Sequence, residues 1–206
     1  DSISNDMREL DWTKAVSTVT YTFEGVQYKR EAFASLEDDV IVMRITASEK
    51  GKLSFDMKHE CPFASSVKTD GNKLVATIAP VDQEGIEGKV SAECQVIVTS
   101  DGDVTNEDGA IVVKDSKEAT IIVSCATNFV NYNNVGADAT QKNESYLNNV
   151  AGKKFDELLK RHINKYQKQY NKVTLELASG ENASLPTNER LDKFYGSDDM
   201  GMVALL

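Results

Sequence analysis

The chain has 206 residues, of which 40% are hydrophobic and 27% charged, with a formal charge of −10 and a pI of about 4.8. That length and balance suit a soluble domain with a real core and exclude a chain that is disordered throughout. With no Lys/Arg-rich stripe to offset its acidity, a nucleic-acid backbone is not an expected partner, and no stretch approaches the roughly 20 apolar residues of a membrane helix.

Residues 15–126 read as successive β-strands. Val16–Phe23 leads through Glu24-Gly25 into Val26–Phe33, a hairpin in which Gly25 supplies a positive φ. Asp38–Thr46 (DDVIVMRIT) is nearly continuously apolar and is expected as a central strand buried on both sides. Leu53, Phe55 and Met57 alternate with polar neighbours, as in a strand with one covered face. Leu74, Ala76 and Ile78 alternate after the Asp70-Gly71-Asn72 turn. Lys89–Thr99 forms a longer strand, and Asp101-Gly102 and Asp108-Gly109 punctuate shorter segments before Glu118–Ala126. Many strands without helical crossovers predict antiparallel sheets packed face to face, and the unequal strand lengths favour a sandwich over a barrel.

The period then changes. Asp138 is placed to cap a helix over Ala139–Val150. After Gly152, Phe155, Leu158, Leu159, His162, Ile163, Tyr166 and Tyr170 recur at spacings of three and four and draw one apolar stripe. Lys153-Lys154 and Lys160-Arg161 fall on its wet face. Val173–Leu177 is expected as a short returning strand and Thr187–Phe194 as a short helix. Gly196 would break that helix, and Asp198 or Asp199 would cap another over Met200–Leu206. An apolar helix at the end of the chain has no partner within it, so the chain reads as a piece of a longer protein.

No residue pattern here assigns catalysis, a cofactor or a metal. Glu60, Asp82, Glu84 and Glu87 sit in or near loops where an acid pair for glycoside hydrolysis would belong, but their spacing is not diagnostic and surface solvation accounts for them. Asp101-Gly102-Asp103-Val104-Thr105 starts like a calcium loop and then fails at Asn106 and Val112, which leaves a hairpin turn. His59-Glu60 lacks the second histidine of a zinc peptidase motif, and His162 on the apolar stripe reads as a core or interface histidine. Cys61, Cys94 and Cys125 are widely spaced; buried thiols and one disulfide are both open readings. The best surface candidate is Asn128–Asn134 (NFVNYNN), whose amides and aromatics suit a sugar or a neighbouring domain, with a plain connector as the alternative. Asn143-Glu144-Ser145 and Asn182-Ala183-Ser184 match glycosylation sequons.

A family resemblance runs through the chain in consistent order. Met7–Leu10, Ala15–Phe23, Val26–Ser35 and Asp39–Thr46 resemble later strands of the N-terminal β-domain of family 95 glycoside hydrolases, the α-L-fucosidases acting on α-1,2-linked fucose. The likeness continues through Ala119–Asn131, Phe155–His162 and Tyr166. It closes on Leu185–Leu191, Asp198-Asp199 and Ala204–Leu206, where such enzymes enter a helical barrel. The segment from Met57 to Gly88 departs from the pattern.

The resemblance implies an antiparallel, supersandwich-like β-domain over 1–134, incomplete at its N-terminus, a helical linker with a short strand over 135–197, and the start of an (α/α)6 barrel at 198–206. It implies that the parent inverts configuration, using a glutamic acid and an Asn/Asp arrangement that fall beyond Leu206. The fragment itself is expected to be inactive and without cofactor. Its implied partners are the catalytic barrel of the same polypeptide and fucosylated glycans, and its implied location is periplasmic or extracellular. Two other classes fit less well: a stand-alone carbohydrate-binding module, weakened by a single tryptophan, Trp12, and a purely structural assembly domain.

Overall fold

The computed structural model of the chain describes residues 3–175, 180–194 and 199–205, and the fold divides into two compact units at Gln169/Tyr170. The first is mainly antiparallel β followed by helices, as the alternating pattern predicts. Eleven strands are described: β1 (Ser4–Asp11), β2 (Val16–Phe23), β3 (Val26–Ser35), β4 (Val40–Ala47), β5 (Leu53–Met57), β6 (Ser65–Asp70), β7 (Lys73–Ile78), β8 (Ala92–Ser100), β9 (Asp103–Glu107), β10 (Ala110–Ser116) and β11 (Glu118–Thr127). Eight form one sheet in the order β1-β2-β3-β4-β11-β8-β7-β6, and β5-β10-β9 form a second.

Alternation decides what each face of the large sheet meets. Leu74, Ala76, Val96, Val98 and Ile121 point to the small sheet and close a core against Ile111 and Val113. Val16, Phe33, Val40 and Val42 point the other way, against helices α1 (Ala139–Val150) and α2 (Phe155–Tyr170), where Val150, Phe155 and Leu158 complete a second core. Asp138 caps α1 as expected, its carboxylate accepting the Gln141 amide at 3.0 Å. Asp156 and Glu157 place negative charge on the first turn of α2, which suits the helix dipole.

Turn chemistry follows the sequence where it is local. Glu24-Gly25 and Asp108-Gly109 take positive φ at both positions, the geometry that matches the twist of a two-residue hairpin. Asp101-Gly102 is not a hairpin turn. It carries the chain from β8 in the large sheet to β9 in the small one, so the expected hairpin is replaced by a corner. β4 is central, between β3 and β11, yet it is not covered on both sides along its whole length: Ile41 is 49% exposed because the small sheet does not extend over it. The β8 strand begins at Ala92, later than expected, and Val90 is exposed.

α2 reaches the β1–β2 turn through three successive carbonyls. Tyr166 Oη donates to Trp12 O at 2.7 Å, Gln167 Nε2 to Thr13 O at 3.1 Å, and His162 Nε2 to Lys14 O at 2.9 Å. The carbonyl partner puts the His162 proton on Nε2. Its ring stacks on Phe33 at 4.9 Å, which makes it the interface histidine that the apolar stripe suggests.

The second unit contains a 3-10 turn, Glu181–Ser184, and helices α3 (Thr187–Phe194) and α4 (Met200–Leu205). Asp199 caps α4 by accepting the Met202 amide at 3.0 Å, while Arg190 of α3 grips the same carboxylate at 2.8 and 3.0 Å. The Arg190 guanidinium holds the Asp199 carboxyl below its ordinary pKa. Asp198 and Gly196 lie outside the described residues. So does part of the expected Val173–Leu177 strand, whose described part, Val173–Leu175, is not in a strand. Among the described residues no helix is long and apolar enough to cross a membrane.

Candidate functional site at the Asn128 loop

The loop that leaves β11 is built on its asparagines. Asn128 Oδ1 accepts the Ser91 amide at 3.0 Å and its Nδ2 donates to Lys89 O at 2.9 Å, tying this loop to the segment before β8. Asn131 and Asn134 close a tight bridge, with Asn131 Oδ1 accepting from Asn133 N at 3.2 Å and Asn134 Oδ1 from Gly136 N at 2.9 Å. Lys142 of α1 crosses beneath and donates to the Thr127 and Phe129 carbonyls.

These bonds decide what the loop offers. The carboxamide oxygens of Asn128, Asn131 and Asn134 serve the backbone, as asparagine does in turns. What stands in solvent is Tyr132, 93% exposed, beside Phe129 and Val130. The 79–91 segment, which Asn128 holds in place, adds exposed Val81, Ile86 and Val90. Its tip is a bridged turn, Gln83 to Ile86, with positive φ at Glu84 and Gly85. The two loops present aromatic and aliphatic groups from one end of the sheet, a surface suited to a sugar ring or to protein.

The acids singled out earlier do not converge on this surface as a catalytic set. Asp82 Oδ1 accepts the Gly88 amide at 2.8 Å, Glu84 occupies the turn, and Glu60 and Glu87 are exposed. Asp101 is an organiser of backbone: its Oδ1 accepts from Ser116 Oγ at 2.7 Å, Lys117 N at 2.8 Å and Glu118 N at 2.9 Å. The Ser116 hydroxyl, followed by those amides, holds its carboxyl down at a pKa of about 2. His59 lies in the β5–β6 connection with its Nε2 buried and unpaired. Among the described residues no group of three or more His, Cys, Asp or Glu side chains is placed to hold a metal. The two sequons differ: Asn182 is partly exposed, whereas Asn143 is fully buried.

Asn143 belongs to a polar network that pattern reading did not find. Its Nδ2 donates to Glu93 O at 2.9 Å and its Oδ1 accepts from Ser124 Oγ at 2.7 Å, fastening α1 to β8 and β11. Gln95 Nε2 and Thr140 Oγ1 each donate to the Glu93 carboxylate at 2.7 Å. Burial pushes the Glu93 carboxyl up, but the bonds from Gln95, Thr140 and Asn143 outweigh it and hold the carboxyl below its ordinary value. Arg161, expected on the wet face of α2, keeps part of its side chain in solvent but turns back to pair with buried Asp38. Arg44 sits 4.0 Å above the Phe155 ring and pairs with both Glu31 and Asp156. These contacts position helices on a sheet.

Residues 1–132 match the description "Glycosyl hydrolase family 65, N-terminal domain". The chain belongs to that family. A second match, over residues 154–206, is to "Glycosyl hydrolase family 95 catalytic domain", so a likeness to that domain follows the β-domain match along the chain. The chain is 27% identical to Alpha-L-fucosidase 2 of Arabidopsis thaliana, over 97% of its own length and 27% of that protein. It is 28% identical to Probable alpha-fucosidase A of Aspergillus niger, over 93% of its own length and 26% of that protein. The chain thus spans about a quarter of the curated relatives it matches. A solved structure named "Putative kojibiose phosphorylase from human microbiome" superposes with a TM-score of 0.58 at 12% identity, covering 82% of this chain and 25% of that one, which speaks to the fold alone. The chain is a glycoside-hydrolase domain related to families 65 and 95 and to fucosidases.

Proposed function

We propose that this chain is the non-catalytic β-domain and helical linker of a glycoside hydrolase that releases terminal α-1,2-linked L-fucose with inversion. The observation that carries the reading is the order of matches within one chain: a glycoside-hydrolase N-terminal domain over 1–132, then a catalytic-domain segment over 154–206. The names of the two fucosidase relatives support the substrate class. In this reading residues 198–206 enter the helical barrel, which supplies the acid and the water-activating groups. Those groups stand roughly 6.5–9.5 Å apart to admit the attacking water. The Tyr132 ledge is the surface we assign to contact with the rest of the same polypeptide, and the whole enzyme is placed in the periplasm or outside the cell, facing its glycans.

The test uses 2′-fucosyllactose with the 206-residue chain and with a longer polypeptide that carries it through the barrel. The chain alone releases no fucose, and the longer protein releases β-L-fucose first, followed by proton NMR of the fresh product. Release of the α-anomer first overturns inversion. Turnover by the 206-residue chain that is lost on substitution within it overturns the non-catalytic assignment. Activity in the exported fraction after cell fractionation supports the location, and activity confined to cytosol refutes it.

A further inference from the structure

Cys94 and Cys125 are direct cross-strand partners in the register of β8 and β11. Their Sγ atoms are 2.7 Å apart, with both cysteines as free thiols. Alternation sends both side chains to the face of the large sheet that carries the small sheet, near the end that the small sheet leaves open. Cys94 is half-buried against the core that includes Val96 and Ile121. Cys125 is exposed and lines an open depression of about 250 Å³ with Ala34, Ile41, Val123 and Asp39.

We propose that Cys94 and Cys125 form a thiol–disulfide exchange site, oxidised by a small organic disulfide to a cross-strand bond that staples β8 to β11. Directly opposed residues in an antiparallel pair have Cα atoms about 4.5–5.5 Å apart, within the span of about 4.4–6.8 Å that a disulfide accepts, so closing the bond requires little backbone movement. The two sulfurs have different tasks. Cys125 stands exposed at the depression while Cys94 is sheltered against the core, and the contact between the sulfurs shifts the pair in opposite directions, Cys125 down and Cys94, with burial added, up. The exposed sulfur is therefore the thiolate that attacks, and the sheltered one resolves.

The chemistry balances in two exchanges. The Cys125 thiolate attacks one sulfur of the external disulfide RSSR; a Cys125–S–S–R bond forms, the RS–SR bond breaks and RS⁻ leaves. That RS⁻ takes the Cys94 thiol proton, and the Cys94 thiolate attacks Cys125 Sγ. The Cys94–Cys125 bond forms, the mixed bond breaks, and a second RS⁻ leaves to be protonated by solvent. Two electrons pass from the protein thiols to RSSR, which ends as two RSH. Asp39 at the depression favours a neutral oxidant over an anionic one.

The experiment treats the reduced 206-residue chain with 2-hydroxyethyl disulfide near neutral pH. Two of its three thiols are expected to disappear, the mass to fall by about 2 Da, and non-reducing peptide mapping to join Cys94 to Cys125, with Cys61 left free. The Cys94→Ser variant is expected to stop at the mixed disulfide on Cys125, and Cys125→Ser to lose the fast reaction. The same treatment in urea is expected to give mixed pairings, which shows that the folded register selects the pair. Three thiols persisting in the folded chain, a crosslink through Cys61, or a wild-type reaction that stops at the mixed disulfide overturns the proposal.

Discussion

Arg161 on α2 grips the buried carboxylate of Asp38 on the β3–β4 turn, with Nη2 2.7 Å from Oδ1 and Nε 3.2 and 3.3 Å from the two oxygens. Ser35 Oγ donates to the same carboxylate at 3.0 Å. Asp38 is 2% exposed, so it depends on these partners, while Arg161 keeps part of its guanidinium in water. Arg161→Ala is expected to destabilise the chain by about 2–3 kcal/mol, below the cost of breaking a fully buried pair. Urea unfolding measures it, and a double-mutant cycle with Asp38→Ala is expected to give strong coupling. Additive losses in that cycle would show that the pair does not act as a unit.

His162 is 1% exposed, stacked on Phe33 and bonded to Lys14 O. His162→Ala opens a cavity and strands a carbonyl, with an expected loss of about 2–4 kcal/mol by urea unfolding. A loss under half a kcal/mol would contradict its role in fastening α2 to the β1–β2 turn.

Asp101 links pH to stability. Its folded pKa, about 2, lies below the ordinary carboxyl value of 3.8, so the stabilisation is present above about pH 4 and fades as pH falls toward 2. Asp101→Ala is expected to cost about 1 kcal/mol at pH 7, modest because the carboxylate faces solvent, and to flatten the thermal midpoint against pH between 4 and 2. An unchanged slope in the variant would assign the acid sensitivity to other carboxylates.

Gly102 beside it has no room for a side chain. A Cβ there would collide with the Lys114 carbonyl oxygen and stand 2.8 Å from Ser116 Cα and N. Gly102→Ala is expected to cost about 2–3 kcal/mol through a forced backbone shift at the corner. A thermal midpoint equal to wild type would mean that the corner yields freely.

Asn143 lies in a sequon but is 0% exposed and bonded through both amide atoms. In a glycosylating host the folded, soluble protein is expected to carry no glycan at Asn143, by peptide mapping. Occupancy in folded material would require α1 to leave the sheet.

What the sequence discloses is what its neighbours decide. The Gly25 and Gly109 turns, the Asp138 cap and the α2 stripe are each settled within a few residues, and the structure has them. β6 escapes notice and β1 enters only through the family resemblance of Met7–Leu10, because both are edge strands with mostly exposed side chains and lack the apolar alternation that reveals a half-buried strand. Asp101-Gly102 has the composition of a hairpin, and only the pairing of β9 with β10 shows that the chain changes sheets there. The Asn128 loop drew attention through its amides. Local bonds occupy their oxygens, and Tyr132 is left as the exposed group. Arg161–Asp38, Asn143–Glu93 and Cys94–Cys125 each join residues distant in the chain, and a pattern of hydrophobic residues cannot name such partners.

The place of β11 in the large sheet bears on the order in which the molecule can be made. β4 and β8 do not pair with each other; β11 lies between them and bonds to both, although it is the last of the described strands along the chain. Until it arrives, β1–β4 and β6–β8 are two separate partial sheets, each with an unpaired edge that will later lie at the centre. Pairing such distant segments is slow, since a long loop must close before any contact rewards it. During synthesis the first seven strands that belong to the large sheet therefore wait for the eighth, and the interval before Thr127 emerges is when copies of this chain are most open to pairing edge to edge.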